Sequence, residues 1–163
     1  MAPVIPDNWA MNWMWGLPLI VFVVILHAAG LGIINKKVAR KLEAAPRLGE
    51  LSATSILVVG AVVLAVTILH GIEALIWAVA YRSLGALQDY KSAVLFSLNA
   101  ITTYGHEELR LEPRWELMGA LEALNGCIMF GLTTGYLFLV MTRALYQPNR
   151  DSSHSTSRSS TPS

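Results

Sequence analysis

Residues 97–109 read SLNAITTYGHEEL, an apolar run that gives way to Thr102, Thr103, Tyr104, Gly105, His106, Glu107 and Glu108. Just before the polar residues, Ala93 to Ile101 is strongly apolar, yet too short to cross a hydrocarbon core about 30 Å thick. Asp89 is a good helix N-cap, and Tyr90 to Ile101 predicts a helix of about 12 residues and roughly 18 Å, which reaches about halfway. Such a segment can be a surface loop, an interfacial helix or a re-entrant one. Irregular backbone at mid-depth persists only where it is buried in protein or lines a wet cavity. In the re-entrant case, the polar residues after the helix therefore line a pore.

The rest of the chain makes a membrane the setting. Of 163 residues, 54% are hydrophobic and 14% charged, against roughly 25% charged in an ordinary soluble domain. Three stretches, 8–35, 51–72 and 123–142, carry no charged side chain over about the 20 residues that a bilayer core demands. The second is expected to run past Glu73 to about Tyr81, and the third to start near Trp115, because Pro113 suits a first helical turn. The fold expected is an all-α membrane protein, with three transmembrane helices plus a re-entrant half-helix between the second and third. No internal repeat is present, so any symmetry must come from several copies of the chain.

Lys36, Lys37, Arg40, Lys41 and Arg47 gather after the first span against only Glu43 and Glu50, while the segment before it has no Lys or Arg. The positive-inside bias makes that loop cytoplasmic and the N-terminus external. All five tryptophans (Trp9, Trp13, Trp15, Trp77 and Trp115) then fall near the outer interface, where indoles prefer to lie. Residues 1–16 lack the basic start of a cleaved signal, so the first span is expected to be retained. Cys127, the single cysteine, reads as a small packing residue. Residues 147–163 have too few apolar side chains to offset ordering and are expected to be a disordered cytoplasmic tail. A net charge of +1 with no basic stripe argues against a nucleic-acid partner.

A helix that enters from outside and ends mid-membrane turns its partly negative C-terminus toward the centre, which favours cations. Backbone carbonyls, the Thr102 and Thr103 hydroxyls, and rings of Glu107 and Glu108 are the oxygens that cation filters use. At this level the stretch DYKSAVLFSLNAITTYGHEELRLEPRWELMGALEALNGCIMFGLTTGYLF, with HGIEALIWAVAY before it, resembles the pore module of the potassium-channel superfamily, of the small bacterial ion-channel kind. The resemblance covers roughly residues 69–145. It implies a homotetramer in the bacterial inner membrane, divided into residues 1–50 (N-terminal segment, first span and basic loop), a pore domain at 51–146, and the tail at 147–163. It also implies a filter built from Thr102, Thr103, Tyr104, Gly105, His106 and Glu107, with Glu108 at the mouth. Asp89 and Glu73 would support the filter, and Gly126 or Gly131 would let the inner helix bend. No cofactor, small-molecule substrate or enzyme activity is expected, and the only metal is the permeant ion, potassium or, alternatively, sodium. One departure is plain: the family filter reads Thr-Val-Gly-Tyr-Gly, and here Glu107 stands where the second glycine would be. A less selective cation pore and a non-conducting family member both stay open.

A different class of function rests on ionisable residues within the spans, which are functional candidates because lipid disfavours them. His70 and Glu73 share a helical face, and with Glu122 and His106 they could form a metal site or proton relay. The plainer reading has Glu73 hydrogen-bonding to the back of the pore helix. HEEL at 106–109 lacks the second histidine of a zinc-protease motif, since Arg110 stands there. The span Ser and Thr residues have no adjacent base to serve as nucleophiles. Gly119, Gly126, Gly131 and Gly135 suit close helix packing as well as bending, and Asn125 could face a pore or a neighbouring helix. No arginine ladder, ligand domain or calcium loop indicates a gating stimulus.

Overall fold

The computed structural model describes residues 8–44, 53–105 and 109–145. His106, Glu107, Glu108, Arg47, Glu50 and the tail lie outside the described residues. Helix α1 spans Trp9–Ala44, α2 Ala53–Ser83 and α3 Tyr90–Ile101; a 3-10 turn at Pro113–Trp115 then leads into α4, Glu116–Leu145. Among the described residues there is no strand. Three segments, Trp9–Arg40, Ile56–Ser83 and Pro113–Arg143, are long and apolar enough to cross a membrane.

Helix α1 overruns its expected end. Lys36, Lys37 and Arg40 lie on its last turns and not in a loop, because Lys, Arg, Ala and Leu are good helix formers and neither Gly nor Pro intervenes between Gly32 and Pro46. Helix α3 begins and ends where the sequence places it. Asp89 accepts a hydrogen bond from the Ser92 amide at 2.9 Å, and hydrogen bonding to Ser92 holds its carboxyl below the usual carboxylate range. A lowered folded-state pKa means that this capping is complete above the unfolded value and is lost as pH falls through the folded one.

Helix α1 packs on α4 and α2, while α3 lies between α2 and α4. Its course is fixed by side chains along both neighbours. Tyr90 lies under the Arg82 guanidinium at 5.5 Å, Ser97 donates to the Ala74 carbonyl at 2.7 Å, Phe96 touches Gly119, and the Ile101 carbonyl abuts Gly126. Gly126 stands about 15 Å along α4 from Glu116, at a helical rise of about 1.5 Å per residue. Ala93, Ser97 and Ile101 form the inward stripe at the i, i+4, i+8 spacing of one helix face, and Leu95 and Leu98 point outward.

The core is divided. One apolar cluster surrounds Trp77, Tyr81, Trp115, Met118 and Met129, and a second is built from Leu31, Val62, Val66, Leu69 and Val140. Between them, at the levels of His27, Glu73 and Thr133, the buried side chains are polar. Trp9, Trp13 and Trp15 are exposed, as an interfacial belt requires, but Trp77 and Trp115 are fully or nearly fully buried. They pack in the first apolar cluster, with Tyr81 and Met118. Cys127 is exposed on α4 and fills no interior gap.

Asn12 ties α1 to the start of α4. Its Nδ2 donates to the Arg114 carbonyl at 2.8 Å, and its Oδ1 accepts from the Met118 amide at 3.2 Å, one of the first-turn amides that have no partner within a helix. Asn12→Ala is expected to cost about 1–3 kcal/mol by leaving these buried groups unpaired, read as a lower unfolding midpoint of the detergent-purified protein.

Candidate functional site

The end of α3 is a Schellman turn. The Thr103 amide donates to the Ala100 carbonyl at 3.0 Å and the Tyr104 amide to the Asn99 carbonyl at 2.9 Å, the 5→2 and 6→1 pairs of that motif. Its left-handed position falls on Thr103, at φ 56°, although a β-branched residue rarely adopts that conformation. Gly105 follows at φ 74°. Thr102 turns its hydroxyl back to donate to the Leu98 carbonyl at 2.7 Å. Its proton is thereby committed, and the exposed oxygen presents only lone pairs outward. None of the carbonyls from Thr102 to Gly105 accepts a backbone hydrogen bond among the described residues. Thr102, Thr103, Tyr104 and Gly105 are all exposed.

Glu122, and not Glu73, braces α3. Its Oε2 accepts from the Tyr81 hydroxyl at 2.7 Å, and its Oε1 is hydrogen-bonded to Ser97. All three side chains are fully buried, so one carboxyl joins α2, α3 and α4. Since Ser97 spends its single proton on the Ala74 carbonyl, the chain closes with every donor used when Glu122 carries a proton and gives it to Ser97. Glu73 makes no hydrogen bond to α3 among the described residues, because it faces α1.

Glu73 belongs to a second cluster. His27 Nδ1 lies 2.8 Å from Glu73 Oε1, and His70 Nδ1 lies 3.1 Å from Glu73 Oε2. Thr133 Oγ1 lies 3.1 Å from His27 Nε2 and 3.2 Å from His70 Nε2. The imidazoles stack with centroids 5.0 Å apart, and Phe130 covers His70 at 4.7 Å. His27, Glu73 and Thr133 are buried, while His70 is 14% exposed in its side chain. Of the four residues considered together from the sequence, His70 and Glu73 meet as their spacing predicts. Glu122 is engaged with Tyr81 and Ser97, and His106 lies outside the described residues. His27 carries its own signal, a histidine in the middle of a span. Thr133, expected with the other span hydroxyls to have no adjacent base, instead has two imidazoles beside it, because α1 and α2 both pack on α4 at its level.

Gly126 is a contact point: a Cβ there would collide with the Ile101 carbonyl, whereas one at Gly131 or Gly135 would meet nothing within 4 Å. Asn125 is fully buried, and its amide has no hydrogen-bond partner among the described residues.

The protein is thus an all-α chain whose three long apolar helices fit a membrane protein, with a short fourth helix braced between two of them by a buried carboxyl. No protein-family profile matches it, and no match is found among curated proteins or solved structures.

Proposed function

We propose that the protein is the subunit of a passive cation channel, built like the pore module of the potassium-channel superfamily. The observation that carries this reading is the course of α3, which descends between α2 and α4, stops about 15 Å along α4, and is followed by four carbonyls that accept no backbone hydrogen bond among the described residues. With Glu116 taken at the edge of a core about 30 Å thick, α3 would end at mid-depth, where such carbonyls need a cation or water. In this reading α3 is re-entrant and four copies surround one axis. Residues 102–107 line the passage, with Glu108 at its mouth, and the Lys36 to Lys41 end of α1 is in the cytoplasm of a bacterial inner membrane. Thr102 supports it further, as a hydroxyl oxygen stripped of its donor role is a cation ligand.

Glu107 at the position of the second filter glycine favours a pore that admits sodium as well as potassium. Liposomes containing the purified protein are expected to pass cations under a potassium gradient and, more slowly, under a sodium gradient. Gly105→Ala places a Cβ at a positive φ, a strain on the order of 1 kcal/mol or more per chain, and is expected to abolish flux without dissociating the protein. No flux under either gradient, or flux that Gly105→Ala leaves intact, rejects the reading.

A further inference from the structure

We propose that His27, His70 and Glu73 bind one divalent first-row transition-metal ion, with zinc as the reference case, between the two apolar clusters of the bundle. Two imidazoles and one carboxylate with a free fourth position are a recognised zinc donor set, and imidazole suits the neighbouring first-row ions. Here one donor atom from each of the three residues lies within 4.8 Å of the other two.

The argument turns on where the protons go. If both neutral histidines carry Nδ1–H, both Nε2 atoms must accept, and the Thr133 hydroxyl has one proton to share between them. If both carry Nε2–H, the two lone pairs of Thr133 Oγ1 accept both. Both Nδ1 lone pairs then face the Glu73 carboxylate. A mixed pair, in which His27 donates Nδ1–H to Glu73 Oε1, Thr133 donates to His27 Nε2 and His70 donates Nε2–H to Thr133, still leaves the His70 Nδ1 lone pair against Glu73 Oε2, and a cation placed there satisfies both atoms. A metal-bound histidine normally donates its other ring N–H to a fixed acceptor, and Thr133 is that acceptor for both rings.

An additional proton on the ring would also balance the charge, and the geometry at His70 argues against it. His70 Nδ1 and Glu73 Oε2 are 3.1 Å apart, yet neither atom has a hydrogen-bond partner among the described residues, so they are close without being aligned. A shared proton draws donor and acceptor into line, whereas two ligands of one metal point at a common centre and not at each other. The 3.1 Å between His70 Nδ1 and Glu73 Oε2 is also near the edge of about 3.3 Å between atoms bound tetrahedrally to zinc. Glu73 is wholly buried, which leaves its second oxygen no water to satisfy it.

Full-length protein in detergent, incubated with zinc ion and desalted, is expected to retain about one zinc per chain by mass spectrometry, and cobalt in its place should give a tetrahedral absorption spectrum. Glu73→Gln can satisfy the metal-free ring with its amide, so it should fold and retain no zinc. His27→Ala should likewise retain none. Thr133→Val, which removes the acceptor for both Nε2–H groups, should lower affinity about 10–100-fold. Folded wild-type protein that retains no zinc, or Glu73→Gln that retains as much as wild type, overturns the proposal. Gly105→Ala leaves the three ligands in place, so zinc retained by that variant separates this site from the fate of the conduction reading.

Discussion

Gly126→Ala is expected to push the end of α3 off α4 and to destabilise the protein by about 1–3 kcal/mol, as overpacking of a close contact does. The new methyl would collide with the Ile101 carbonyl. A backbone group cannot rotate out of the way as a side chain can, so either the last turn of α3 moves or the two helices separate. Movement of that turn displaces the Schellman cap and the Thr102–Gly105 carbonyls together, since the cap amides of Thr103 and Tyr104 bond to Ala100 and Asn99. Gly131→Ala supplies the control: a Cβ there meets nothing within 4 Å, and alanine favours a helix over glycine by up to about 1 kcal/mol. Unfolding midpoints in detergent should therefore fall for Gly126→Ala and hold or rise for Gly131→Ala. On the proposed channel reading, flux should be lost in the first and kept in the second. Equal midpoints for the two would mean that Gly126 serves as a point of bending, the role its sequence position suggests, and not as a contact.

What could be read from the sequence was local. Asp89 announces the start of α3 through its own side chain, Pro113 announces the approach to α4, and the spans follow from length and the absence of charge. The His70–Glu73 pair needed only helical spacing. What could not be read was which helix faces which. In an ordinary amphipathic helix the apolar stripe marks the buried face, but a span in lipid is apolar all round, and Trp77 carries no mark that separates a core indole from an interfacial one. The contact of His27 with Glu73 and that of Glu122 with Ser97 join residues far apart in the chain through those unmarked faces. For the same reason Glu73 and Glu122 could not be told apart in role, although one faces α1 and the other α3. The basic segment after the first span was legible in charge but not in conformation, because the same Lys and Arg residues that orient a membrane protein also continue a helix.

Glu122→Ala is expected to cost about 2–5 kcal/mol, whereas Glu122→Gln should cost less than about 1 kcal/mol, and the contrast tests the proton assigned to Glu122. Alanine leaves a cavity among Tyr81, Ser97 and Met118 and removes the nearer acceptor of the buried Tyr81 hydroxyl, which keeps only the Met118 carbonyl at 3.3 Å, so the loss combines packing with a weakened hydrogen bond. Glutamine reproduces the hydrogen-bond order of a protonated carboxyl: its amide donates to Ser97 where the acid proton did, and its carbonyl accepts from Tyr81. An ionised Glu122 would behave otherwise, because Ser97 would then turn its only proton from the Ala74 carbonyl to the carboxylate, and glutamine would replace charge-assisted hydrogen bonds with neutral ones. In that case Glu122→Gln should cost clearly more than about 1 kcal/mol. Unfolding midpoints of the two variants decide it, with flux as a second reading under the proposed function: Ser97 ties α3 to Ala74 and Glu122, so on that reading Glu122→Gln should conduct and Glu122→Ala should not. A buried acid that keeps its proton fastens three helices without placing a net charge among apolar spans, and the re-entrant course proposed for α3 would need such a fastening.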